Sequence, residues 1–187
     1  MWPFSRPEAK PDRRGGRLVF LVECLMNQNA RDLGAAERPA VDREVLEILA
    51  DAHVGMVQIP CPEMVCLGFE RRRAPGQRIR QALEEPAAMA CCNQLAVTAA
   101  ERIEAFSRQG YRVLAVLGGN AQSPACAVHT AAGEVSHLTE ESGVFMQLLA
   151  SEIAERGLSV PFLRIRDAQP RLLAEDLARL RCCVTDT

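Results

Sequence analysis

The chain has 187 residues, 48% of them hydrophobic and 25% charged, a globular composition that excludes a disordered chain. The formal net charge of −2 and a sequence pI near 6.0 argue against a dedicated binder of nucleic acid or of an anionic membrane surface, which would carry a basic excess. No apolar run reaches the roughly 18 residues of a transmembrane span, so no membrane partner is expected.

Residues 1–16 (MWPFSRPEAKPDRRGG) read as a flexible tail without the apolar region of a signal peptide. A cytoplasmic protein is therefore expected, in which disulfides are rare. Residues 17–187 are expected to form one domain. Residues 17–23 (RLVFLVE) predict a buried strand that stops at Cys24. A polar loop follows to Arg38, then a helix from about Pro39, where Val41, Val45, Leu46, Ile48, Leu49 and Ala52 recur at helical spacing. After Gly55, residues 56–59 predict a second strand running into Pro60, Cys61, Pro62 and Glu63. Residues 67–75 read as loop, 79–83 as a short helix ended near Pro86, and 91–108 as a long helix closed by Gly110. Residues 111–117 predict the third strand, ending in Gly118-Gly119 and a loop that holds Ser123 and Cys126. A small hairpin over 128–138, with its turn at Ala132–Gly133, a helix over 143–156, a strand over 160–165 and a helix over 171–182 complete the chain. Apolar strands alternating with helices predict an α/β fold. It is a three-layer, Rossmann-like sandwich whose mostly parallel sheet is covered on both faces.

Three of the eight cysteines then share one address. Cys24 follows the first strand, Cys61 the second, and Cys126 lies in the loop after the third. Open parallel sheets bind ligands outside the carboxyl ends of their strands, so three thiols distant in sequence converge at one edge. Convergent thiolates suit a soft metal or an iron–sulfur cluster. With three ligands, one iron of a 4Fe–4S cluster lacks a protein thiolate and acts as a Lewis acid. Three buried thiols packed as small hydrophobes are the plainer reading.

The strings ECLMNQNAR (23–31), PCPE (60–63) and SPAC (123–126) occur in this order. Together they resemble the 2-thiouracil desulfurase family, whose pattern is a strand ending in A-C-L-L-G, a strand ending in C-P-E, and a loop N-S-P-S-C. The resemblance runs from Arg17 to Ile165. It implies a 4Fe–4S cluster on Cys24, Cys61 and Cys126, and non-redox removal of sulfur from a small thiolated compound such as a thiolated nucleobase. It also implies Glu63 as acid/base and Ser123 as a group that positions a proton or the substrate. The chain departs from the pattern after Cys24 (Met26-Asn27-Gln28-Asn29) and after Glu63 (MVCLGFER), and Gln122 stands where asparagine is usual. These departures resemble a desulfurase-related desulfidase branch. Asn27, Asn29 and Gln122 are candidates to hydrogen-bond the substrate or to cap the loops.

Cys66 competes with Cys61 as second ligand, and Cys61 is preferred because it sits at the strand end. Cys91–Cys92 and Cys182–Cys183 are adjacent pairs on helices, and adjacent helical residues point different ways. His129 could complete a Cys3His zinc site in a non-catalytic protein, and a sulfur carrier serving a partner is a further reading. Arg71–Arg73 read as a solvated loop, or one arginine faces the site and holds the substrate. Gly118-Gly119 read as a close backbone approach at the site.

Overall fold

The computed structural model describes residues 12–131 and 137–185. Most of the expected tail and the expected hairpin turn lie outside those residues. Four parallel strands form one sheet in the order β2-β1-β3-β4, with β1 Arg17–Val22, β2 Gly55–Ile59, β3 Arg112–Leu117 and β4 Phe162–Leu163. The central strands β1 and β3 bury nearly every side chain, as an apolar run covered on both faces must. Val19 pairs with Met56 on one side and Ala115 on the other.

The longer helices are α2 Arg43–Asp51, α5 Pro86–Arg108, α6 Val144–Glu155 and α7 Pro170–Thr185. β1 to β2 steps one way along the sheet, and β2 to β3 to β4 steps the other. Right-handed crossovers therefore put α2 on one face and α5 with α6 on the opposite face. Accordingly α5 packs on α6, and α7 joins α2. This is the α/β three-layer arrangement that the strand–helix alternation predicts. Among the described residues no helix is long and apolar enough to cross a membrane.

Several boundaries differ from the sequence expectation, each for a local reason. α5 begins at Pro86, five residues before the expected start, because proline fits the first turn of a helix, where its missing N–H is not needed. Pro62 does the same for α3, Pro62–Leu67, a helix that the sequence reading did not assign. The loop after β1 folds into a short helix α1, Glu23–Met26, and a 3-10 turn at Gln28–Ala30. Helix α4, Ile79–Leu83, is as expected. β4 has two residues rather than six. It is an edge strand that begins after a proline, and beyond Leu163 the chain leaves the sheet so that Arg166 can donate its N–H to Asp176 at 2.9 Å. Of the hairpin, an isolated antiparallel bridge joins Thr130 to Leu138.

Candidate functional site

The strand order reverses between β1 and β3, and the crevice outside their carboxyl ends is where such sheets bind ligands. A cavity of about 260 Å³ opens there, lined by Cys24, Cys61, Cys126, Glu63, Ser123 and Arg71 among others. Cys24 sits in α1 at the end of β1, Cys61 caps α3 at the end of β2, and Cys126 lies in the loop after β3. Glu23 fixes the first two loops to each other, its Oε2 accepting the Cys61 N–H at 2.9 Å. Gly119 lets the third approach: a Cβ there would stand 2.8 Å from the Cys126 Sγ and 3.5 Å from the Cys24 Sγ.

Glu63, Ser123 and Cys126 form a short chain of contacts. The Ser123 hydroxyl donates to Glu63 Oε1 at 3.1 Å, and its oxygen accepts from the Cys126 N–H at 3.1 Å. The Cys126 Sγ lies at 3.1 Å from the same hydroxyl. Burial pushes the Glu63 carboxyl up from its ordinary range, partly offset by the Ser123 hydroxyl and the Arg71 guanidinium. Cys24 and Cys126 are neighbours whose thiols influence each other's titration. The neighbouring Cys126 thiol holds Cys24 low, helped by the charge of Arg31, and the Cys24 thiol together with burial drives Cys126 well up. Burial pushes the Cys61 thiol up to about 11.

Two arginines that the sequence pattern left unresolved or unnoticed shape this cavity. Arg71 is buried while Arg72 and Arg73 are exposed, so one member of the triplet faces the site. Its φ of 46° is in the left-handed region. It donates to the carbonyls of Phe69 at 2.6 Å and of Ala30, and stands 3.7 Å from both the Cys61 Sγ and Glu63 Oε2. Its Nε has no hydrogen-bond partner among the described residues. Arg31 also lines the cavity and pairs with the buried Asp167 at 2.5 Å. No spacing signal marks either arginine, because both lie in irregular segments.

Other expected site residues are placed differently. Gln122 lines the cavity, whereas Asn27 and Asn29 are exposed and do not. Asn27 Oδ1 accepts from Asn29 Nδ2 at 2.9 Å, so this pair caps the turn after α1. Gln28 between them is the buried member, donating to the Cys24 carbonyl at 2.9 Å. His129 does not line the cavity, and its Nε2 bonds the Ala121 carbonyl at 3.0 Å. The alternative Cys3His set is thus not assembled among the described residues. Cys66 is not a free competitor for the second position: it forms a disulfide with Cys91, their Cα atoms 5.5 Å apart. Among the described residues no group of three His, Cys, Asp or Glu side chains is arranged to hold a single metal ion.

Over 58 residues the chain is 34% identical to an uncharacterized protein of Methanocaldococcus jannaschii, a stretch that is 31% of this chain and 37% of that protein. The chain therefore matches well under half the length of this curated relative. No protein-family profile matches the chain, and no solved structure does.

Proposed function

We propose that the chain holds a three-cysteine 4Fe–4S cluster on Cys24, Cys61 and Cys126 and removes sulfur from a small thiolated compound. The observation that carries this reading is that the three thiols, Glu63 and Ser123 line one cavity at the strand ends. The donor set fits the group. A cubane takes each thiolate on a different iron, so the sulfurs need not surround a single point as the ligands of one zinc ion must. With no Cβ at Gly119, that residue does not crowd two of the thiols. The bound cluster would supply a Lewis-acidic iron for the sulfur of a thiocarbonyl or thiolate.

The chain's own residues supply the proton chemistry. In the hydrolysis of a thiocarbonyl, water adds to the carbon, the C–S bond breaks, and a carbonyl and sulfide are the products. Glu63 takes the proton from that water. Its burial favours the protonated carboxyl, which suits a base that must become an acid within one turnover. Ser123 holds one carboxylate oxygen and Arg71 faces the other, so the carboxyl keeps one orientation.

The test is iron and labile sulfide content after anaerobic purification of the wild type and Cys126→Ala, followed by turnover of thiolated nucleobases and mercapto-acids. About four irons and four sulfides per chain, lost in the variant, support the reading. Iron-free protein, or a cluster that survives Cys126→Ala, overturns it.

A further inference from the structure

Outside this cavity, three more cysteines meet where α3 packs on α5. Cys66 in α3 is disulfide-bonded to Cys91 in α5. The Sγ of Cys92 stands 3.6 Å from the Sγ of Cys66. Cys66 in the disulfide has no proton, so Cys92 is the donor in this contact. Cys66 and Cys91 are partly exposed, and Cys92 is fully buried among Leu67, Ala88 and Ala125. Cys66 follows Glu63 by three residues, one turn along the same helix.

We propose that Cys66, Cys91 and Cys92 form a second sulfur-handling site, at which the disulfide takes up inorganic sulfide as a persulfide on Cys91. Hydrosulfide attacks the Cys91 Sγ, the Sγ–Sγ bond breaks, and its electron pair leaves on Cys66 as thiolate. One S–S bond forms and one breaks, so no oxidant or reductant is consumed. The hydrosulfide proton remains with the terminal sulfur or passes to solvent.

The direction of attack follows from Cys92. A disulfide cleaves toward the sulfur that better bears negative charge, and of its two sulfurs only Cys66 receives a hydrogen bond from a neighbouring thiol among the described residues. Burial pushes the Cys92 thiol up to about 11, so it remains a donor to the leaving Cys66 and does not itself attack the disulfide. In giving the released sulfide an acceptor one helical turn from Glu63, the proposal rests on the desulfuration reading. The chemistry of the disulfide does not.

The test therefore adds sodium sulfide to the purified, disulfide-bonded full chain without any thiolated substrate. Thiols and persulfides are capped with a maleimide and mapped by tryptic digestion. Arg71 and Arg80 place Cys66 and Cys91 on different peptides, and fragmentation separates Cys91 from Cys92. The expected result is the extra sulfur on Cys91 with Cys66 capped as a thiol. The rate should fall about tenfold in Cys92→Ala, as expected on losing a hydrogen bond to a charged sulfur, and partly recover in Cys92→Ser. Extra sulfur on Cys66, an even division, no adduct, or an unchanged rate in Cys92→Ala overturns the proposal. The wild-type map decides the direction of attack even where a variant folds poorly. Sulfide uptake without turnover of any thiolated compound would sink the desulfuration reading and leave this one standing.

Discussion

Ser123 and Glu63, sixty residues apart, meet at 3.1 Å across the cavity, hydroxyl to carboxylate oxygen. The contact joins the loop after β3 to the first turn of α3, so the cavity carries a positioned acid/base beside its thiols. Glu63→Gln keeps the size and the hydrogen bond but removes the titrating group. Turnover of the thiolated substrate should fall about a hundredfold or more, the usual scale of general acid–base assistance, with iron content unchanged. Ser123→Ala should cost less, about tenfold, because Arg71 still faces the carboxylate. Loss of iron in Glu63→Gln would assign the residue to the cluster's housing instead.

Arg71 joins two loops in a way that lysine cannot copy. Its guanidinium reaches the carbonyls of Phe69 and Ala30 and faces the Cys61 Sγ and Glu63 together. An ammonium keeps the charge but not the planar fork. Arg71→Lys should therefore lower stability by about 2 kcal/mol, from buried carbonyls left without donors, in a urea titration at neutral pH. Arg72→Lys, on an exposed neighbour, should change it by no more than about 0.5 kcal/mol.

Asp42 gives a pH-dependent prediction away from the thiols. It is fully buried, its Oδ1 accepts the Val45 N–H at the start of α2, and its Oδ2 has no partner among the described residues. Burial raises its pKa in the folded chain above the unfolded value. The folded state thus binds the proton more tightly, and stability falls as pH rises through that window. Asn caps a helix as well as Asp and carries no charge. Asp42→Asn should raise Tm at pH 7 by about 2–4 °C, the shift expected for roughly 1 kcal/mol in a chain of this size. The gain should shrink as pH falls and the wild-type carboxyl protonates. An equal gain at both pH values would assign it to packing rather than charge.

The cysteines of the cavity were legible in the sequence because their positions follow from strand ends, and strand ends follow from apolar runs. Arg71 was not: three consecutive arginines in a loop carry no periodicity, and the left-handed φ that turns one inward has no glycine or asparagine to announce it. Cys66 and Cys91 were missed for a different reason. The principle that adjacent helical cysteines diverge holds for their directions, yet Cys91 and Cys92 both reach the sulfur of Cys66, which α3 brings against α5. Such a meeting depends on helix packing, and one sequence does not disclose it. Asn27 and Asn29 read equally as substrate contacts or as loop caps, because a single sequence does not choose between them; the Asn29 amide donates to Asn27 Oδ1, a local cap.

Gly119 offers the most selective probe of the thiol arrangement. Its hypothetical Cβ would meet the Cys126 Sγ at 2.8 Å and the Cys24 Sγ at 3.5 Å, both of them side-chain atoms that can move. Gly119→Ala should therefore fold, with a cooperative melt, while the two sulfurs are displaced from their places on the cavity wall. Gly118→Ala meets the Cys126 carbonyl at 2.7 Å as well as the Val128 side chain, and backbone yields less readily. It should lower Tm where Gly119→Ala lowers iron incorporation. Anaerobic iron content and circular dichroism on the two variants separate the effects. Full iron loading in Gly119→Ala would mean that the bare backbone beside the thiols serves packing alone, and that the ligands of any cluster are set by other contacts.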